Sequence, residues 1–325
     1  MKALQFVGAA TARVNDLPVP TIGPGEVLVA TRAVGVCHSD IELLEGRYII
    51  PFEYPVIPGH EWAGEIVDVG RDVRQFQPGD RVVGECVIGS DHFGFSISGA
   101  AAEYFVARPE WLHRLPAAMS WTQGALVEPF SCGYYATVRA GDLDASDTVA
   151  VFGAGPIGLG VVAASAAKGA HVIAIEPSAS RAALAARLGA AEVVDPGGGD
   201  LAERVAELTA GRGADVVFEA SGKPAAMAAA LRVAGMRARL VYIGIDVGGT
   251  APAELGLIQA RELQLRGIIG SPGVWPRTLR FLARTGLDLS AVVTRTVPLA
   301  QAAEAVAAAR DGRDEVKVHI VAAAG

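Results

Sequence analysis

Hydrophobic positions follow two different patterns along the chain. From residue 1 to about residue 120, apolar residues alternate with polar ones, or run in β-branched clusters, between turns rich in glycine and proline. The pattern predicts strands at Met1–Val7, Glu26–Val36, Gly64–Val69, Asp80–Val87, Ala101–Ala107 and Leu112–Leu115. Many short strands joined by such turns are typical of a small barrel or sandwich.

From about residue 121, alanine-rich amphipathic segments alternate with short apolar runs. Strands are predicted at Thr148–Phe152, His171–Glu176, Val193–Asp195, Asp215–Glu219, Arg239–Gly244 and Leu263–Ile269. Helices are predicted at Pro156–Lys168, Ser180–Leu188, Asp200–Leu208 and Pro224–Val233. Six strands that alternate with helices indicate a parallel, doubly wound α/β sheet. The last part of the sequence returns to the pattern of the first region. Helices are predicted there at Pro276–Arg284 and Leu299–Arg310, and strands at Val292–Pro298 and Val316–Val321.

Composition narrows the class of protein. The chain has 325 residues, is 51% hydrophobic and 19% charged, and is therefore expected to form two globular domains. A net charge of −7 without a Lys/Arg cluster argues against a nucleic-acid partner. The charge-free stretch 148–167 is interrupted by four glycines and Pro156, so we expect a strand, turn and buried helix there, not a membrane span.

The N-terminus has no signal-peptide core, and the three cysteines do not form a disulfide framework. Both observations favour the cytoplasm, where a lone cysteine serves either packing or chemistry.

The glycine-rich segment that follows the first apolar strand of the second region matches G-x-G-x-x-G. Gly153 allows a tight turn, Gly155 lets the backbone approach a pyrophosphate, and Gly158 allows close packing of helix on strand. Pro156 and Ile157 complete the loop, and proline is tolerated at the first helical position. The free N–H groups and positive dipole of the helix N-terminus suit the phosphates of a dinucleotide.

Glu176 ends the second strand, 18 residues after Gly158. A carboxylate there accepts hydrogen bonds from ribose hydroxyls and repels a 2′-phosphate, which favours NAD over NADP. Two alternatives remain open. Glu176 caps the following helix instead, or Arg181 accommodates the phosphate of NADP.

Cys37 follows a predicted strand and precedes a turn, while His60 and Glu61 follow a proline-rich loop. Thiolate, imidazole and carboxylate form a donor set that suits zinc. For three scattered residues the alternative is a buried cysteine and a hydrogen-bonded histidine without a metal.

Four motifs bring these residues into one pattern. They are Gly-Val-Cys37-His38-Ser39-Asp40, Pro58-Gly59-His60-Glu61, Pro78-Gly79-Asp80-Arg81-Val82 and Val127-Glu128-Pro129. In this order, over essentially the whole chain, the sequence resembles the zinc-containing medium-chain alcohol dehydrogenases, in particular their polyol (sorbitol-type) and sugar or cyclitol branch. The resemblance implies a GroES-like β-rich catalytic domain at 1–124 and 271–325, and a Rossmann domain with a six-stranded parallel sheet at 125–270.

Carried over by position, the resemblance implies that Cys37 and His60 bind the zinc. Glu61 is implied to be a resting ligand that exchanges with water, and Glu128 a group that binds zinc directly or through water. Asp40 is implied to fix the tautomer of His60, and Ser39 to take the substrate proton.

The chain departs from the family twice. The segment 84–94 holds one cysteine, Cys86, where relatives often carry four for a structural zinc, so we predict a single zinc per chain. Glu42 stands where relatives often have a proton-relaying histidine. Glu42, water and the ribose hydroxyls all remain possible exits for the proton.

The predicted activity is hydride transfer between NAD and the secondary alcohol of a polyol, sugar or cyclitol. The alternatives are an aliphatic-diol or threonine-type dehydrogenase, or a zinc-free relative that binds a dinucleotide without this chemistry. The predicted partners are a small-molecule alcohol or ketone and further copies of the chain. Pairing of the apolar edge strand 263–269 would give a homodimer or homotetramer.

Overall fold

A computed structural model describes residues 1–311 and 315–322. Residues 312–314 and 323–325, which belong to the predicted segment 271–325, lie outside the described ones. The chain divides into two compact units, Met1–Glu128 together with Trp275–Gly325, and Pro129–Val274.

The strands and helices are numbered in chain order. The strands are β1 Lys2–Gly8, β2 Thr11–Asp16, β3 Val27–Val36, β4 Glu61–Val69, β5 Arg81–Gly84, β6 Val87–Ile88, β7 Asp91–His92, β8 Tyr104–Ala107, β9 Leu112–Arg114, β10 Thr148–Phe152, β11 His171–Ile175, β12 Glu192–Val194, β13 Ala214–Glu219, β14 Ala234–Tyr242, β15 Gln264–Gly267, β16 Val293–Pro298 and β17 Lys317–Val321. The α-helices are α1 His38–Leu44, α2 Trp121–Ala125, α3 Val127–Arg139, α4 Pro156–Ala167, α5 Ala179–Arg187, α6 Leu201–Leu208, α7 Pro224–Val233, α8 Leu257–Ala260, α9 Trp275–Thr285 and α10 Ala302–Asp311.

The first unit is built on a seven-stranded sheet in the order β16-β17-β3-β4-β5-β9, with β8 also paired to β3. Strand β3 is the centre of this sheet, since it pairs antiparallel with β17, β4 and β8. Eight of its ten residues, VLVATRAVGV, are buried, which fits a strand that is apolar apart from Thr31 and Arg32. Phe6, Val29 and Ile66 lie in the core of this unit and are fully buried.

One position in β3 matters for the site described below. Gly35 lies opposite Glu61 on β4 and opposite His319 on β17. Directly opposed residues of antiparallel strands point to the same face of a sheet, so Glu61 and His319 flank a position that carries no side chain.

The second unit is a six-stranded, fully parallel sheet in the order β12-β11-β10-β13-β14-β15. Numbered within the sheet, this is the order 3-2-1-4-5-6 of doubly wound dinucleotide-binding folds. All five residues of β10 are buried, as expected for a strand covered on both faces. The predicted α/β class and the six-stranded parallel sheet are confirmed.

The sequence pattern missed several elements of the first unit. The predicted strand Asp80–Val87 is wrong in extent, because β5 ends at Gly84 and β6 pairs with a different neighbour, β7. Strand β2 and helix α1 were not predicted. Helix α1 is only seven residues long and follows β3 after a single residue, too short for a helical period to show.

No helix among the described residues is long and apolar enough to cross a membrane.

Candidate metal and dinucleotide sites

In the first unit, Cys37, His60 and Glu61 come together. One potential ligand atom from each lies within 4.8 Å of the others. Cys37 is the residue between β3 and α1, and Glu61 opens β4 directly after His60. Gly59 makes the turn into this pair with φ +99°, a conformation that favours glycine. Among residues 1–311 and 315–322, this is the one group of three or more such side chains.

Asp40, in the first turn of α1, contacts both of the neighbouring candidate ligands. Its Oδ2 accepts a hydrogen bond from the backbone N–H of Cys37 at 2.8 Å. Its Oδ1 lies 3.6 Å from Nδ1 of His60, slightly beyond hydrogen-bond distance. Burial lowers the pKa of His60, but Asp40 and Cys37 raise it by more, so it lies well above its usual value. The Asp40 carboxylate lies on the Nδ1 side of the imidazole, and the role predicted for Asp40 is to fix the tautomer of His60.

Lys317 was missed by the sequence analysis, although it contacts the cluster directly. Its ammonium lies 2.7 Å from each carboxylate oxygen of Glu61 and 3.1 Å from the carbonyl oxygen of Val36. The side chains of Lys317 and Glu61 are 3% and 1% exposed. Burial lowers the pKa of Lys317, but the charge of Glu61, and next that of Cys37, raise it by more, so the pKa of Lys317 lies above its usual value. The signal in the sequence was a lysine and a histidine in an otherwise apolar run, Val316-Lys-Val-His-Ile-Val321.

Glu128, at the start of α3, is partly buried and interacts electrostatically with this group. Burial, and next the charge of Glu61, raise its pKa to about 7, while His60 and Lys317 lower it. Ser39 and Glu42 lie on α1, both partly buried, and His38 is exposed. The expected turn after Cys37 is thus the first turn of a helix.

Aromatic rings cover one side of His60. The ring of Phe95 lies 4.7 Å from the imidazole, and Tyr48 stacks on Phe95 with ring centroids 4.3 Å apart. Burial raises the pKa of the Tyr48 hydroxyl, which is in electrostatic contact with His60 and Cys37.

The donor set fits zinc. Sulfur, imidazole nitrogen and carboxylate oxygen are the three ligand types that zinc takes in proteins, and catalytic zinc uses three protein ligands with one position open. His60 and Glu61 are 5% and 1% exposed, so the metal would be shielded from bulk water on their side. In the segment 84–94, Cys86 lies beside the β6–β7 hairpin and its thiol donates to the carbonyl oxygen of Phe93 at 3.6 Å.

In the second unit, the glycine-rich loop leads from β10 into α4. Gly153 has φ +86°, and Gly155 immediately precedes the first residue of α4, Pro156. A Cβ at Gly158 would overlap the carbonyl oxygen of Gly153, so helix and loop pack without room for a side chain. A Cβ at Gly155 would meet nothing within 4 Å, which leaves open space over the loop for a ligand. These features fit the pyrophosphate of a dinucleotide.

Glu176 follows β11 and its side chain contacts both neighbouring loops. Its Oε2 accepts a hydrogen bond from the backbone N–H of Ala154 at 2.7 Å, and its Oε1 accepts one from Ser178 at 2.9 Å. Ser178 is the residue before α5, so the capping alternative describes part of what Glu176 does. Each carboxylate oxygen has a second lone pair, so both can still accept from a ribose. Arg181 lies in the first turns of α5.

Comparison with known proteins finds matching family models in both parts of the chain. Residues 23–117 match the alcohol dehydrogenase GroES-like domain and residues 156–284 the zinc-binding dehydrogenase domain. The sorbitol dehydrogenase of Bacillus subtilis is 32% identical over 97% of this chain and 95% of its own length. The chain belongs to the zinc-type medium-chain alcohol dehydrogenase family.

Solved structures of the family agree with this assignment. The 2R,3R-butanediol dehydrogenase of Bacillus subtilis has a TM-score of 0.90 and 32% identity, covering 98% of this chain and 99% of that one. A zinc-binding dehydrogenase of Sinorhizobium meliloti 1021, solved with NADP, has a TM-score of 0.92 and 28% identity, with 98% of both chains covered. As a member of this family the protein is an oxidoreductase that interconverts a secondary alcohol and the corresponding ketone.

Proposed function

We propose that this enzyme oxidises a polyol or a vicinal diol at a secondary carbon, with zinc at Cys37, His60 and Glu61 and NAD at the glycine-rich loop. The observation that carries the proposal is the buried sulfur, nitrogen and oxygen donor set within 4.8 Å. The resemblance to a sorbitol dehydrogenase and a butanediol dehydrogenase supports the substrate class.

Each residue has a distinct part in this proposal. When bound, zinc acts as a Lewis acid that stabilises negative charge on the substrate oxygen. Cys37 and His60 bind the metal, with Glu61 as a further ligand and Glu128 binding directly or through water. Asp40 holds both ligand segments, through the N–H of Cys37 and beside Nδ1 of His60. The hydroxyl of Ser39 accepts the proton of the substrate alcohol and passes it on towards Glu42, water or a ribose hydroxyl.

Cofactor preference is assigned to Glu176. Its carboxylate is held by two backbone N–H groups at the tip of β11, where a 2′-phosphate would meet a negative charge. We expect higher kcat/KM with NAD than with NADP, and a reduced preference in Glu176→Ala. The matched control is Glu192→Ala in the same unit. A wild-type enzyme that is faster with NADP contradicts the assignment.

A substrate panel tests the activity. Polyols, sugars, cyclitols, amino-sugars, aliphatic diols and threonine are each supplied with NAD or NADP, and reduced cofactor is followed by its absorbance. Polyols and vicinal diols are expected to give the highest kcat/KM. The protein is expected to contain about one zinc per chain by elemental analysis. Metal-free protein with full activity would exclude the zinc mechanism.

The proposed partner is a second copy of this chain, paired through β15. All four residues of this edge strand are exposed, as are Ile245, Val247 and Ile269 nearby in the sequence. An edge strand presents unpaired backbone N–H and C=O groups, which pair readily with another strand. Because the N–H of Ile268 donates to Tyr242 in the same sheet, the N–H of Leu265 points to the outer edge.

Leu265→Pro therefore removes an outward donor without breaking the ladder to β14. We expect it to shift the protein to monomer by light scattering, while Leu265→Thr, which keeps the N–H, stays oligomeric. A wild-type monomer at micromolar concentration contradicts this pairing.

A further inference from the structure

Glu219 is a buried carboxylate at the edge of the parallel sheet where the dinucleotide is proposed to bind. It is the last residue of β13 and is 1% exposed. From β10 the chain continues to β11 and β12 on one side, and from β13 to β14 and β15 on the other. A ligand of such a sheet binds outside the carboxyl ends of the strands, at this switch between β10 and β13. In the register of these two strands, Glu219 is paired with Phe152, the residue before the glycine-rich loop.

The carboxylate of Glu219 holds the loop that follows β13. Its Oε1 accepts a hydrogen bond from the backbone N–H of Ser221 at 2.8 Å, and its Oε2 accepts one from Gly222 at 3.3 Å. The hydroxyl of Ser221 also donates to Oε1, while the hydroxyl oxygen accepts from the N–H of Lys223 at 3.2 Å. All three contacts bring a proton to Glu219, so the carboxylate is held in its charged form, which only accepts.

This loop packs against the loops on either side of it. A Cβ at Gly153 would lie 3.0 Å from Cα and Cβ of Ser221, and a Cβ at Gly244 would overlap the backbone nitrogen of Gly222. The carbonyl oxygen of Glu219 accepts from the N–H of Gly244 at 3.0 Å. The loops after β10, β13 and β14 are therefore locked together, and the charge of Glu219 has a fixed position at their meeting point.

No cation of the described chain neutralises Glu219. Among residues 1–311 and 315–322, its partners are backbone N–H groups and a hydroxyl, and no Lys, Arg or His forms an ion pair with it. The charge acts on its neighbour in β14, because burial, and next the charge of Glu219, raise the pKa of the Tyr242 hydroxyl to about 12. A buried charge without a counter-ion costs free energy and is typical of functional sites.

The two halves of the sheet divide the dinucleotide between them. The half from β10 to β12 carries the glycine-rich loop and Glu176, which are proposed for the diphosphate and the adenosine ribose. In this fold the half from β13 to β15 takes the second mononucleotide, which carries the nicotinamide. The nicotinamide ring is positively charged in NAD⁺ and neutral in NADH. A buried carboxylate on this side therefore stabilises the oxidised form more than the reduced form.

We propose that Glu219 is a specificity-determining residue of the dinucleotide site, whose fixed negative charge favours the oxidised over the reduced cofactor. The inference rests on the dinucleotide site of the proposed function. It gives the enzyme a bias towards NAD⁺, the form that the proposed oxidation of an alcohol consumes.

The ratio of two dissociation constants tests the inference. The Kd of NADH is measured by its fluorescence, and the Kd of NAD⁺ by competition with NADH, on wild type and Glu219→Gln without substrate. Both forms carry the same diphosphate, so its repulsion by Glu219 cancels in the ratio. Glu219→Gln is expected to raise the ratio of Kd for NAD⁺ to Kd for NADH about 10-fold, the size expected of one charge at an effective dielectric constant of about 20. If the wild type binds NADP⁺ and NADPH more tightly, the ratio is measured on that pair.

Variants that keep the charge separate it from the support of the loop. Ser221→Ala removes one contact to Glu219, and Glu219→Asp shortens the side chain. Both are expected to weaken the binding of NAD⁺ and NADH alike and to leave the ratio unchanged. Glu192→Gln removes a half-buried carboxylate from the start of β12, at the opposite edge of the sheet, and is expected to bind both forms like wild type. If Glu219→Gln does not fold, Glu219→Met removes the charge without placing an amide group against the loop.

An unchanged ratio in Glu219→Gln or Glu219→Met, with both forms bound more weakly, would show a carboxylate that only holds the loop and would overturn the inference. A shift of equal size in Glu192→Gln would also overturn it, because the net charge of the unit would then be enough. The measurements need neither zinc nor substrate. A protein that shows the shift and oxidises no alcohol would therefore contradict the proposed activity and support this inference, whereas a wild type that binds neither form of the dinucleotide would contradict both.

Discussion

Two candidate sites are built by opposite means: the metal cluster of Cys37, His60 and Glu61, and the dinucleotide cradle, which is the loop from Gly153 to Gly158 together with Glu176. In the metal cluster the potential ligands are polar or charged side chains. Buried neighbours hold these ligands in place: Asp40 bonds to the backbone of Cys37, and Lys317 bonds to Glu61. In the dinucleotide cradle the decisive feature is that two positions, Gly155 and Gly158, are glycines and leave space that a side chain would fill. The first site is therefore expected to respond to changes of charge, and the second to changes of volume.

Cys37→Ser is expected to have the largest effect and to be confined to the cluster. Serine is a poor replacement for a thiolate ligand, so zinc content and turnover should both be nearly lost. Binding of NADH, measured by its fluorescence, should persist. If Cys37→Ser also lost NADH binding, the two sites would not be separable in this way.

Ser39→Ala tests the proposed proton acceptor, a hydroxyl in the first turn of α1. If this hydroxyl accepts the substrate proton, turnover should fall on the order of 10²- to 10⁴-fold, the usual contribution of a general acid or base. Zinc content should be unchanged by elemental analysis, and the loss should be greatest below neutral pH. Ser39→Thr is the matched control and should retain much of the activity. Equal activity of Ser39→Ala and wild type would move the relay to Glu42 or Glu61.

Two glycine variants should separate packing from ligand approach in the cradle. Gly158→Ala forces a methyl group against the carbonyl oxygen of Gly153, so both thermal stability and NADH affinity should fall. Gly155→Ala meets open space in the protein and should weaken NADH binding with little change in melting temperature. Zinc content should stay at the wild-type level in both. A loss of zinc would mean that the cradle variants disturb more than their own unit.

The smallest expected effect is on acid stability and comes from His319. Both of its ring nitrogens lack a hydrogen-bond partner among the described residues. Burial, and next the charge of Lys317, lower its pKa from 6.5 to about 3. The unfolded chain therefore binds a proton that the folded one does not, and stability present above pH 6.5 is lost as the pH falls towards 3.

His319→Met removes this titration. Its melting temperature should fall less than that of the wild type between pH 6.5 and pH 4, measured on metal-free protein. His171→Met, at an exposed position of the other unit, should fall like the wild type. Parallel curves for all three proteins would show that His319 does not set the acid sensitivity.

The two sites also differ in how much of each could be predicted from the sequence. The cradle was predictable because its features lie within Gly153 to Glu176, and local spacing carries the geometry. Cys37, His60 and Glu61 were recognisable because each stands beside a strand end in a distinctive motif. Lys317 was not, since its contact with Glu61 depends on the sheet order β17-β3-β4, which no local pattern reveals. Helix α1 was missed for a local reason, its length of seven residues.

The pairing of β17 with β3 has a consequence for the order in which the enzyme is made. Glu61 and Lys317 are 256 residues apart in the chain, and the whole second unit is synthesised between them. Until β17 arrives, Val34 to Val36 have no partner on that edge and Glu61 has no counter-charge. Contacts this distant in sequence form slowly, after the local ones. During synthesis Glu61 thus gains its buried counter-charge last, and the donor set of Cys37, His60 and Glu61 is expected to reach its final geometry only when β17 pairs with β3.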